Sequence, residues 1–103
     1  MKNHVLVIDC GATVVRAVAV DENGLLLHTE KETNAPVRER EDRDWLIWDT
    51  DTIRDKVIAC AAKTIRTVHN EHGTYPMAMA VTAFSDDGTF VDKKGGLLYP
   101  VIS

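Results

Sequence analysis

Residues 5–16 read Val5-Leu6-Val7-Ile8-Asp9-Cys10-Gly11-Ala12-Thr13-Val14-Val15-Arg16, and the fold is decided there. An apolar run from Val5 to Ile8 ends in Asp9, a glycine-bearing turn follows, and a second apolar run opens at Val14. This is the pattern of a buried strand that delivers a carboxylate to a tight turn, with a second strand leaving it. Gly11 lets the backbone turn sharply or approach a ligand with no β-carbon in the way. Thr13 adds a hydroxyl, and the N–H groups of the turn offer a concavity for an anion. Asp9 suits Mg²⁺, an ion that takes one or two carboxylates and completes its shell with phosphate oxygens and water. Two readings stand open on these residues alone. One is a Mg²⁺–nucleotide phosphate site; the other is a hairpin in which Asp9 and Gly11 are merely turn formers.

Outward from this stretch, Val14 to Val20 is a second strand rich in β-branched residues, and Asp21-Glu22-Asn23-Gly24 is a strong turn. Leu25 to Glu32 continues as a third strand whose polar half suits an edge. The three make an antiparallel meander. Residues 33–44 form a charged, proline-containing connection that reads as a solvated loop. Trp45 and Trp48 follow; near a loop they pin it to the core or stack on a sugar ring, and pinning is the commoner role. Asp49 or Thr50 caps a helix that runs to about Glu71 and stops at Gly73. Its apolar stripe is Ile53, Val57, Ala61, Ile65 and Val68, widened by Ile58 and Ala62, as for one face packed on a sheet. His69 and His72 are spaced for a metal but lack a third ligand, so they read as favourable charge at a helix C-terminus.

Met77 to Thr82 is short and apolar without alternation, the pattern of a central, buried strand. Ala83 to Gly88 is its outgoing turn, and Phe90–Asp92 and Leu97–Ile102 flank the turn Lys93-Lys94-Gly95-Gly96 as a closing hairpin over that outlet. A strand–helix–strand crossover makes the fourth strand parallel to one already in the sheet, most simply the first. Asp9 and the Thr82–Asp87 segment then leave neighbouring strands at the same edge, where open α/β sheets bind ligands.

Composition narrows the class. A chain of 103 residues holds one core, and 45% apolar with 27% charged residues is ordinary for a globular protein. A net charge of −4 with scattered basic residues argues against a nucleic-acid surface. No apolar run approaches the ~18 residues of a membrane span, and the first residues are too soon charged for a signal peptide. Cys10 and Cys60 have no metal or redox spacing and read as reduced, buried thiols, which suits the cytoplasm.

The segment Asp9-Cys10-Gly11-Ala12-Thr13-Val14-Val15-Arg16 resembles the first phosphate motif of the FGGY carbohydrate kinases, within the actin/hexokinase/Hsp70 ATPase superfamily. The resemblance continues in order through Ala19–Gly24, a tryptophan before the long helix, Ala80-Val81-Thr82, and the ending Val91–Ser103. That ending is most similar to the fuculokinase branch, with rhamnulokinases beside it. The resemblance implies a ribonuclease-H-like mixed sheet, of the actin/hexokinase ATPase type, with the meander, long helix, parallel fourth strand and closing β-hairpin read above. It implies ATP-dependent phosphorylation of a ketose such as L-fuculose at its terminal hydroxyl. By the same analogy Asp9 supports Mg²⁺, Gly11, Ala12 and Thr13 approach the nucleotide phosphates, and Arg16 lies beside them. Phe84, Ser85 and Asp87 fall in the loop that lines the sugar pocket of relatives.

The sequence also departs from the pattern. Ala12 stands where the broader family has Thr, and Ser85 and Asp86 stand where fuculokinases tend toward Gly-Val. The general-base Asp, the second phosphate motif and the adenosine motif have no counterpart in these 103 residues. Phosphoryl transfer needs both substrates positioned and charge stabilised from several sides. The chain is therefore expected to be the N-terminal part of kinase domain I, inactive alone, with an open sheet edge that favours self-association or strand swapping. Two other classes share some of these features. A ribonuclease-H-like nuclease or resolvase needs further carboxylates converging on metal, whereas the equivalent strand here ends Val81-Thr82-Ala83-Phe84 with no Glu, and the chain is acidic. A non-catalytic self-associating module needs only the open edge.

Overall fold

The computed structural model describes residues 2–84 and 87–103. Three strands in succession, β1 (His4–Cys10), β2 (Val14–Asp21) and β3 (Leu26–Thr33), pair antiparallel as the expected meander. After a two-residue strand β4 (Val37–Arg38) and a short β5 (Leu46–Trp48), helix α1 spans Thr50–His72. Strand β6 (Met79–Ala83) then returns parallel to β1, giving the order β3-β2-β1-β6. This is the expected crossover.

Each helix end has its chemical cause. The Asp49 side chain accepts from the Thr52 N–H at 3.2 Å, while Gly73 adopts φ 76° and donates its N–H to His69. The buried line of α1 is Cys60, Thr64 and Val68, with Val57, Ala61 and Ile65 packed beside Leu6, Ile8 and Ala17. Thr64 lies fully inside this face because its hydroxyl donates to the Ala17 carbonyl. Ile58, expected to widen the stripe, is instead 51% exposed. His69 stacks on Tyr75 at 4.2 Å between ring centroids.

Three expectations change. Strand β6 is not central and buried: all five of its residues are exposed, because it forms the sheet edge and α1 packs over β1, β2 and β3. An unalternating apolar run fits a strand with both faces covered, and here neither face is covered. Trp45 does not pin the loop; it is 62% exposed beneath Arg43, and Trp48 alone is buried. The closing hairpin reduces to a single bridge, Val91 to Leu97. The segment β7 (Val101–Ile102), expected to pair within the hairpin, instead pairs with β5, building a second sheet ordered β4-β5-β7 whose β4 lies in the stretch that reads as loop. Ser103 donates its N–H to the Leu46 carbonyl at 3.0 Å across the new pairing.

Candidate functional site

Asp9 is the second-last residue of β1, so the strand carries its carboxylate to the carboxyl end of the sheet. It stands opposite Arg16 in the β1–β2 ladder and beside Thr82 in the β1–β6 ladder. Cross-strand partners share a face. Ile8 packs toward α1, so the alternation of β1 puts Asp9, with Arg16, on the other face. Among the described residues neither Asp9 nor Arg16 is engaged in an ion pair or a side-chain hydrogen bond. The Asp9 charge is nevertheless felt nearby: burial first, and then this carboxylate, push the Cys10 thiol upward.

The turn after β1 is held from several sides. The Gly11 N–H donates to the Val14 carbonyl at 3.0 Å. A β-carbon on Gly11 would sit 2.7 Å from that same carbonyl oxygen, which is closer than any real contact. Glycine is needed here for close approach of backbone to backbone. The Cys10 carbonyl accepts from the Phe84 N–H at 3.1 Å, so the first turn and the outlet of β6 are joined directly. Asn34 closes the third side, its backbone N–H donating to Thr13 O at 2.8 Å and its side-chain amide to Gly11 O at 3.0 Å. The N–H groups of Ala12 and Thr13 donate to no protein acceptor among the described residues, and both residues are exposed. Among the described residues the turn thus carries two N–H groups without a protein acceptor, following the strand end that bears Asp9 and its ladder partner Arg16.

The donor set also bears on the cation. Among the described residues no group of three or more His, Cys, Asp or Glu could enclose a metal ion. One half-buried carboxylate at Asp9 suits Mg²⁺, which keeps several waters and takes its remaining ligands from phosphate.

The second group of expected site residues lies across the Phe84 link. The Phe84 ring packs on Trp48 at 4.5 Å between centroids, and Asp87 Oδ2 accepts from the Trp48 indole N–H at 2.9 Å. One Asp87 oxygen is thus taken up by the loop's own anchor. Ser85 lies outside the described residues. Sequence reasoning missed Asn34, which falls in a stretch whose charge and proline suggest solvent, yet it is only 7% exposed. The signal available was slight: an uncharged amide at the end of β3, where a charge run has not yet begun.

A meander crossed by one helix to a parallel strand is the mixed sheet of the ribonuclease-H-like, actin/hexokinase-like fold. Residues 4–103 match the N-terminal domain of the FGGY family of carbohydrate kinases, and the chain belongs to that family. It is 40% identical to L-fuculokinase of Escherichia coli (strain K12), covering 100% of this chain and 21% of that protein. It is 38% identical to L-fuculokinase of Salmonella typhi, over 96% of this chain and 20% of that one. The fold superposes on xylulose kinase from Rhodospirillum rubrum with a TM-score of 0.81, at 20% identity, over 97% of this chain and 20% of that chain. The chain thus spans about a fifth of the length of the curated relatives it matches.

Proposed function

We propose that the protein to which this segment belongs is an ATP-dependent sugar kinase that phosphorylates a ketose such as L-fuculose at its terminal hydroxyl. Its family membership and the name of its relatives support the reaction class. The observation that carries the site is the pair of unpartnered N–H groups on Ala12 and Thr13 beside Asp9. In this reading Gly11, Ala12 and Thr13 lie against the nucleotide phosphates, with Arg16 adding positive charge next to them. Bound Mg²⁺, held by Asp9, supplies neutralisation of the phosphate charge. Phe84, Ser85 and Asp87 face the sugar in this reading, with Trp48 holding Phe84 by its ring and Asp87 by its indole N–H. The place of work is the cytoplasm.

Residues 1–103 form the N-terminal part of kinase domain I in this reading and have no turnover alone, because one face of the phosphate site cannot position both substrates. Taken alone, the segment self-associates through the open edge of β6. The test is ATP turnover with L-fuculose. The isolated chain should give none. The same residues, replacing the matching segment of Escherichia coli L-fuculokinase, should give turnover that Asp9→Asn removes. Turnover by the isolated chain overturns the claim of inactivity. A well-folded chimaera that binds neither ATP nor L-fuculose overturns the kinase reading.

A further inference from the structure

Asn34 bonds to two carbonyls that bracket the exposed tip of the first turn. Its side-chain amide reaches Gly11 O at 3.0 Å, and its backbone N–H reaches Thr13 O at 2.8 Å. A carbonyl oxygen only accepts, so the side-chain group facing Gly11 is the NH₂. The backbone bond continues the β2–β3 ladder one step beyond the Val14–Thr33 pair. The side-chain bond is extra: no ladder requires it, and it spans 23 positions.

Its consequence follows from the planarity of the peptide. The Gly11 C=O and the Ala12 N–H belong to one rigid unit and point in opposite directions. Drawing Gly11 O toward Asn34 therefore turns the Ala12 N–H to the side away from Asn34. The preceding unit and the unit two further on are fixed as well. The 10–11 unit is held by Phe84 through Cys10 O and by Val14 through the Gly11 N–H, and the 13–14 unit is held by the Asn34 backbone. Without the side-chain amide, the 11–12 unit joins the 12–13 unit, which has no hydrogen bond among the described residues, as a part of the turn free to rotate. A rotated unit would present the Gly11 carbonyl, a partial negative charge, where a phosphate must lie.

We propose that Asn34 is a positioning residue for the phosphate site, acting through the Gly11–Ala12 peptide unit to aim the Ala12 N–H at the bound phosphate. The proposal rests on the phosphate reading of the turn given above. Asn34 does not itself touch the nucleotide. The residue is only 7% exposed and its bond is partly buried, which limits competition from water. The site is thereby set by a residue from the end of β3, as well as by the Asp9–Thr13 segment itself.

The test uses the 103-residue chain, amide-resolved NMR, and inorganic pyrophosphate with Mg²⁺ as the probe. In the unsubstituted chain pyrophosphate should shift the Ala12 and Thr13 amide resonances. The Asn34 side-chain protons should exchange slowly with water. Asn34→Ala should weaken the apparent pyrophosphate affinity about tenfold, the scale of one lost bond to a buried partner, and should move the Ala12 resonance before any probe is added. Asn34→Asp, of nearly the same shape, should do at least as much, since a carboxylate repels the Gly11 carbonyl. Lys56→Met serves as the comparison. It removes the helix's bond to the adjacent Thr33 carbonyl, 2.9 Å long, and leaves Asn34 in place. It should lower stability without altering pyrophosphate affinity.

If pyrophosphate shifts Ala12 and Thr13 equally, and with equal affinity, in the unsubstituted chain and in either folded Asn34 variant, the positioning role is overturned and the phosphate reading stands. If the unsubstituted chain shows no shift at all, the phosphate reading falls and takes the inference with it. Should both Asn34 variants fail to fold, the exchange rate of the Asn34 side-chain protons in the unsubstituted chain decides: exchange as fast as in a free amide overturns the bond on which the inference depends.

Discussion

The Trp48 indole N–H donates to Asp87 Oδ2 at 2.9 Å, joining residues 39 positions apart and tying the outlet of β6 to the second sheet. Trp48 is only 4% exposed and also carries the Phe84 ring on its face. Trp48→Phe keeps an aromatic surface for Phe84 but removes the donor. The Asp87 carboxylate then loses a charge-assisted bond, worth about 1.5–3 kcal/mol. The expected outcome is a lower urea midpoint of unfolding with an unchanged slope, since the surface exposed on unfolding is nearly the same. Trp48→Ala should cost more, about 3–5 kcal/mol, by leaving a cavity as well.

Gly11 admits no side chain. A β-carbon there would press within 2.7 Å of the Val14 carbonyl oxygen, a backbone atom that cannot swing aside as a side chain can. Gly11→Ala should therefore open the turn and lower stability by about 1–3 kcal/mol, as for other forced overpacking. Ala12→Gly is the contrast, because Ala12 is exposed. Thermal unfolding of both variants, with amide spectra to localise the change to residues 10–14, checks the prediction.

Acid should weaken the fold through Asp21. The Leu25 N–H, followed by the Asn23 N–H and the Lys2 ammonium, holds this carboxyl below the ordinary aspartate range, against the opposing effect of burial. A carboxyl whose folded pKa is lowered contributes stability that is fully present above its unfolded pKa of about 3.9. That stability is lost as pH falls through the lower folded value. Asp49, lowered chiefly by the Thr52 N–H, and Glu30, lowered chiefly by His28 and then Lys63, act in the same direction. Asp21→Asn keeps an acceptor for both backbone N–H groups but cannot titrate. Urea midpoints measured from neutral pH down to about pH 3 should fall less steeply in this variant. Glu30 and Asp49 contribute to the slope that remains.

The elements that sequence makes legible are those specified by local chemistry. Asp21 and Asp92 show this most directly. Asp21 Oδ1 accepts from the N–H groups two and four residues on, both at 2.9 Å. Asp92 Oδ1 does the same at 2.8 Å. Gly24 and Gly95 supply the positive φ of 80° and 84° in the matching positions. The cap at Asp49 and the stop at Gly73 are of the same kind, and so is the parallel return of β6, which the crossover forces. What sequence does not disclose depends on partners distant along the chain. The run Met79–Ala83 reads as buried because apolar residues without alternation normally are, and nothing local tells that its two faces lack cover. Trp45 and Trp48 look equivalent in a window of four residues; only the Asp87 and Phe84 contacts separate them. Asn34 is the clearest case at the site. Its backbone belongs to the end of a meander, but its side chain is spent on a turn more than twenty residues earlier. The carboxylate and glycine of the first turn are therefore visible in the sequence, while the residue that orients the turn is not.

The β6 edge should make the isolated chain associate. One side of this strand is paired with β1, and its other side faces no strand among the described residues. Met77, Met79 and Val81 are 73%, 65% and 67% exposed, and Ile58 on α1 is half exposed as well. An unpaired ladder flanked by large apolar side chains is a template for a second strand. Sedimentation of the 103-residue chain should show a concentration-dependent rise in mean mass. Val81→Lys places a charge mid-strand at an exposed position, where it costs the monomer little but opposes edge-to-edge pairing. The variant should sediment as a monomer at concentrations where the unsubstituted chain does not. A monomer in both cases sinks the prediction. Association unchanged by Val81→Lys moves the contact away from β6, most directly to the apolar surface of Trp45, Leu46, Tyr99 and Ile102 on the second sheet.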